Sequence, residues 1–166
     1  MYHHIAHFIE DWQALTGYTV RVFELITEDT KQIKIHENVR TLERLAWHIT
    51  QTITEMGTRA GLFDADETEH QLVPATMADI AAVYKANSDR LITAVQTRWN
   101  DAALNEKVNM YGEEWSKGTV LSVLIGHESH HRSQMTVIMR MVDLPVPGIF
   151  GPSKEEWEQM GLPAME

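Results

Sequence analysis

Between residues 127 and 134 the chain reads HESHHRSQ, and His127 and His131 stand four apart inside a long stretch of helical periodicity. An α-helix turns once every ~3.6 residues, so this spacing stacks the two imidazoles on one face, close enough to share an ion. Val120, Leu124, Ile138 and Val142 fall within roughly one turn-face of that pair at ~100° per residue. The two rings therefore face a core, where an unpartnered polar group is costly. A metal held by them needs a third ligand from another part of the chain.

The same period recurs upstream. Ile5, Phe8, Trp12, Leu15, Val22 and Ile26 predict a helix over about 3–27, with Gly17 as a potential bend. Thr27 to Arg40 is too charged for a core strand, although Ile33 and Ile35 alternate as a short extended piece would. Thr41 is an N-cap for a second helix to about Arg59, with Leu42, Leu45, Ile49, Ile53 and Met56 inward. Residues 59–75 read as an acidic loop. Thr76 with Asp79 opens a third helix to about Trp99, with Ile80, Tyr84, Leu91 and Val95 inward. Residues 100–115 are irregular with a turn at Tyr111-Gly112, and Ser116 caps the histidine-bearing helix, which stops before Pro145. Ser153 and Glu156 form a capping-box pattern that starts a short last helix. Four amphipathic helices of roughly 20–26 residues make an all-α four-helix bundle the economical reading of residues 1–166 as one domain. Connections of a dozen or more residues predict at least one crossover.

Composition narrows the function. A net charge of −10 argues against nucleic-acid or anionic-membrane partners, which need a basic face. The absence of cysteine excludes a disulfide scaffold, a thiolate metal site and a cysteine nucleophile together. MYHHIAHFIEDW lacks a basic region followed by an apolar run, and no stretch approaches the ~20 apolar residues of a membrane span. A cytoplasmic location is the expectation. Nine histidines are the one anomaly.

His48, at the border of the second helix's stripe and level with Thr52, is the choice for the third ligand. Its competing role is a half-solvated boundary residue. Three neutral imidazoles suit Zn²⁺, Ni²⁺, Cu²⁺ or Fe²⁺ and leave a coordination position for water or substrate, as catalytic sites do. His127, Glu128 and His131 also spell H-E-x-x-H, the zinc-peptidase pattern with Glu as general base. Against that, Gln134 and Val137 stand where the extended pattern has Gly and His, and no sheet edge precedes the motif to align a peptide. Glu128 has a plainer use, an ion pair with Arg132 on the helix flank. Gln134 projects near the two histidines and is placed to orient a ligand or bound water. His130 lies about 60° off their face, His3 and His7 read as a solvated pair, and His36 and His70 carry no signal. Met135, Met139 and Met141 make the fourth helix apolar on most sides, which points to a homodimer face.

The run GHESHHRSQMTVIMRMVDLPVPGIFGPS, 126–153, resembles the closing helix and tail of the DinB-like (YfiT-like) metal-binding bundles. TLERLAWHIT, 41–50, is similar to that family's second-helix signature with its first metal histidine, and Ser133 replaces the usual Gly of its HHRGQ form. The resemblance implies an up-down-down-up bundle, frequently dimeric, with a divalent metal, zinc or nickel, on His48, His127 and His131. It implies thiol S-transfer with a low-molecular-weight thiol, isomerisation, or hydrolysis of a small molecule. With no cysteine in the chain, any thiol must arrive with a cosubstrate. Glu128 and Gln134 are the candidate catalytic helpers. A different class of function is a non-catalytic, dimeric metal- or ligand-binding module of the stress response.

Overall fold

Thr41, Thr76, Ser116 and Ser153 each precede a helix, and each side-chain oxygen accepts the backbone N–H three residues on. Such caps satisfy a donor that the first helical turn leaves free. At Ser153 the box is complete, since the Glu156 carboxylate accepts the Ser153 N–H in return at 3.2 Å. The computed structural model describes residues 1–164. It contains α1 (Ile5–Glu24), α2 (Leu42–Arg59), α3 (Met77–Arg98), α4 (Lys117–Met141) and the short α5 (Lys154–Gln159). α4 ends where Asp143 adopts a left-handed conformation (φ 59°) and the Leu144 N–H closes on the Met139 carbonyl at 2.9 Å.

Nearly all of the apolar positions expected to face inward do so. Phe8, Trp12, Leu15 and Val22 of α1, the five stripe residues of α2, and Ile80, Tyr84, Leu91 and Val95 of α3 join Val120, Leu124 and Ile138 of α4 in one buried cluster. Ile5 and Val142 are half-buried at its edge. Each fully buried side chain of this size removes about 1.5–3 kcal/mol of apolar exposure, so these stripes, rather than local propensity, hold the helices in place.

α1 packs on α3 and α4, and α2 packs on the same two helices. The consecutive helices α1 and α2 thus lie diagonally, so the segment between them crosses the bundle, as its length predicted. That crossover, residues 25–41, is bolted down by a buried cation. Lys31 donates to Glu28 (2.8 Å) and Glu43 (3.1 Å) and to the Ala75 carbonyl, while the Glu43 N–H bonds the Lys31 carbonyl at 3.0 Å. No strand forms at Ile33 and Ile35, and α1 runs unbroken through Gly17.

Residues 107–116, expected to be irregular, form an antiparallel hairpin of β1 (Lys107–Met110) and β2 (Glu113–Ser116). The expected turn is there: Tyr111 (φ 57°) and Gly112 (φ 90°) are both left-handed, as a two-residue type I′ connection requires. No helix among the described residues is long and apolar enough to cross a membrane.

Candidate metal centre

Because α2 and α4 are direct neighbours, side chains on their facing borders meet. His48 stands between the core residues Leu45 and Ile49 and one turn before Thr52, whose hydroxyl donates to the His48 carbonyl at 2.8 Å. Its ring meets those of His127 and His131 at centroid distances of 5.0 and 4.6 Å, and the latter two are 4.5 Å apart. One ligand atom from each lies within 4.8 Å of the others. All three rings are half-buried. The three histidines singled out in the sequence are therefore together, and among the described residues they form the group able to hold a metal ion.

The donor set fits a small divalent cation. His131 Nδ1–H donates to Gln134 Oε1 at 2.7 Å, which leaves its Nε2 as a bare lone pair. That Nε2 faces His127 Nε2 at 3.2 Å. Two nitrogens bound to one tetrahedral Zn²⁺ at ~2.0–2.1 Å stand about 3.3 Å apart. Without a cation, either two lone pairs oppose each other or His127 surrenders its Nε2 to a proton, and the buried His127 Nδ1 has no partner in either case. Burial, followed by the charges of Arg40 and the neighbouring imidazoles, holds the His48 pKa down to about 4. Burial and the neighbouring His131 and His130 hold His127 down to about 4 as well, and burial also lowers His131. Neutral imidazole is the form that binds metal.

A depressed pKa extends the neutral range on the acid side, so protons compete with the metal only as the pH approaches the lowered value. Zinc affinity is expected to persist further into the acid range than that of imidazoles of ordinary pKa ~6.5, which already lose metal as the pH drops below 7. Competition titrations with a chelator across this range check it. An affinity already falling from about pH 7 would mean that the rings titrate normally.

The other candidates are placed as follows. Gln134 touches His131 rather than the interior of the cluster, and its amide nitrogen donates to His130 Nε2 at 3.2 Å. Glu128 is elsewhere. It lies about 100° round the helix from His127, is 1% exposed, and its Oε1 accepts from Thr19 (2.6 Å) and Tyr84 (2.5 Å). Arg132 does lie near it, at 3.9 Å, but inside the core instead of on a solvated flank. A carboxylate enclosed between α1, α3 and α4 and bonded to Thr19 and Tyr84, on a different face of the helix from the histidines, is not placed as the general base of an HExxH peptidase. Met135 and Met139 are core residues, while Met141 and Val137 are exposed.

Beside the cluster opens a cavity of about 880 Å³, walled by α4 on one side and by residues 35–40 of the crossover on the other, with His131 on its surface. Sequence reasoning missed Arg40 and His36, both in this wall. One signal existed for Arg40. A cation directly before the N-cap of α2 opposes the helix dipole, a placement that needs a reason beyond helix stability.

Comparison with known proteins agrees with this architecture. The sequence matches the DinB family over residues 1–163. The uncharacterized protein YrdA of Bacillus subtilis (strain 168) is 35% identical over 164 residues, covering 99% of this chain and 98% of its own. The crystal structure of a DinB-like protein from Bacillus cereus ATCC 10987 superposes with a TM-score of 0.84 at 33% identity, over 90% of this chain and all of that one. The DinB-like protein YjoA of Bacillus subtilis shares the fold at 17% identity, with a TM-score of 0.68 over 84% and 96% of the two chains. The chain belongs to the DinB family.

Proposed function

We propose that the protein is a metal-dependent enzyme in which His48, His127 and His131 hold a divalent cation, zinc or nickel, for thiol S-transfer to, or hydrolysis of, a small molecule. The observation that carries this reading is that three neutral imidazoles from two helices converge beside a cavity large enough for a substrate. A bound cation would supply Lewis acidity, towards water in hydrolysis or towards the sulfur of an external thiol in transfer. The residues of the chain supply the rest. Gln134 fixes the tautomer and tilt of His131, and the apolar packing of Leu45 and Ile49 sets the height of His48. Residues 35–40, pinned through Lys31, keep one wall of the cavity in place.

The test compares zinc-loaded and nickel-loaded protein with His131→Ala against chlorodinitrobenzene, with and without a low-molecular-weight thiol, and against nitrophenyl acetate. Turnover confined to the loaded native protein is expected, and its dependence on thiol separates transfer from hydrolysis. Equal turnover by the variant would take the metal out of the reaction and leave a binding module.

A further inference from the structure

The chain carries 24 acidic residues, yet none of them lines the cavity beside the three histidines. Its wall instead presents Arg40, whose guanidinium has no ion-pair partner among the described residues. Asn38, Ser133 and Gln134 add neutral polar groups beside the imidazoles of His36, His130 and His131, and the apolar part of the wall includes Val39, Val137, Ile138 and Met141. Arg40 and His131 line the same cavity, so the guanidinium and one of the metal-site imidazoles open onto one space. In a protein of net charge −10, a free cation beside a carboxylate-free pocket is a local reversal of the prevailing field. The crossover that carries it is held rigidly. Besides the Lys31 bonds, the Asn38 N–H donates to His36 Nδ1 at 3.1 Å and the Val39 N–H to the His36 carbonyl at 3.1 Å. A guanidinium in a cavity wall matches carboxylate and phosphate oxygens with its forked donors.

We propose that this cavity binds small amphipathic anions, with the oxyanion head on Arg40 beside the histidines and the apolar part against Val39, Val137, Ile138 and Met141. The proposal names the substrate class for the site described above and rests on that reading only for which end of the molecule meets the reacting centre. The cavity volume falls in the range of small-molecule sites, ~300–1,000 Å³, and its mixture of apolar walls with few polar groups is typical of them. Selection comes from both halves. A neutral chain of the same length leaves Arg40 without a partner, and a cation meets its repulsion.

Calorimetric titration of octanoate and octyl phosphate, with octanol and octylamine as neutral and cationic counterparts, tests this in metal-free and zinc-loaded protein. Both anions are expected to bind the metal-free protein, each more tightly than octanol or octylamine. Arg40→Gln should weaken the anions about ten- to a hundredfold, as loss of one charge-assisted contact does, and abolish the preference over octanol. Arg40→Lys should restore part of it. Arg40 is exposed and unpaired, so its variants should melt with the native protein; Val137→Glu, on the exposed apolar wall, provides a second, independent block. Anion binding that is absent, or unchanged in Arg40→Gln, overturns the proposal. So does a dimer in sedimentation that Val137→Glu dissociates, since a second copy would then cover this face. A protein that fails to take up zinc but binds octanoate through Arg40 overturns the metal reading and leaves this one standing.

Discussion

Alanine in place of His131 or His48 is expected to lower zinc affinity about a hundredfold or more. Four-ligand zinc sites in small peptides bind with about 10–16 kcal/mol, so one imidazole of a comparable set is worth about 3 kcal/mol, and each ~1.4 kcal/mol is tenfold. The contributions are close to equal because the rings lie at similar mutual separations of 4.5–5.0 Å. Gln134→Leu removes the acceptor that fixes the His131 tautomer, and partners of this kind are worth about 10–100-fold. His130→Ala is the control. Its ring meets His131 edge to face at 4.9 Å but lies outside the cluster, so affinity should change little. Competition with a chromogenic chelator measures all four. Thermal melts supply a second readout, because a ligand at a thousand times its Kd stabilises the folded state by about 4 kcal/mol, a shift the His131 and His48 variants should lose at the same zinc concentration. If His48→Ala kept native affinity, the pair on α4 alone would be the binding unit and the convergence of two helices would be incidental.

The helices were legible because each writes its own period and its own cap. Thr41, Thr76, Ser116 and Ser153 mark starts that the structure reproduces to the residue, since capping is a contact three positions along the chain. The pair His127 and His131 was legible for the same reason, being one turn apart on one helix. His48 was not fixed by spacing alone. Its border position on the second helix chose it over a half-solvated role, and the family resemblance then mapped the same residue. What stayed hidden depends on packing between distant segments. The crossover 25–41 has no period, and its order comes from Lys31 meeting Glu28, Glu43 and Ala75. The strands of the hairpin are four residues each, with Val108 the only β-branched residue in either, too short a run for alternation to register. The HExxH spelling hides a second stripe, Glu128 and Arg132, about 100° from the histidines. Which helices cover that stripe is a property of the bundle and not of the motif.

Arg132→Ala is expected to be the most destabilising single change near the site, by about 3–5 kcal/mol in urea unfolding, the usual cost of breaking a buried charged pair from one side. Arg132 and Glu128 are 2% and 1% exposed. Thr19 links them, accepting from Arg132 Nη1 at 3.1 Å and donating to Glu128 Oε1 at 2.6 Å, and Tyr84 adds a second donor to the same oxygen. Burial raises the Glu128 pKa while Thr19, Tyr84 and Arg132 oppose that rise, so the carboxylate depends on these partners for its charge. Removing the guanidinium also takes away its contact with the face of Tyr18, at 5.8 Å, and empties a large volume at the junction of α1 and α4. Glu128→Gln keeps an oxygen for Thr19 and Tyr84 but strands Arg132, so it should also destabilise, by less. The double variant Glu128→Gln/Arg132→Met should lose less than the two single losses combined, with a coupling of about 1–3 kcal/mol, because neither charge is left alone. Below its melting temperature, Arg132→Ala is expected to bind zinc within a few-fold of the native protein, since the histidines face α2 and the cavity while this pair faces α1 and α3. Zinc affinity that collapsed in step with stability would show the two stripes of α4 acting as one unit, with the buried carboxylate setting the register of the helix on which both metal histidines ride.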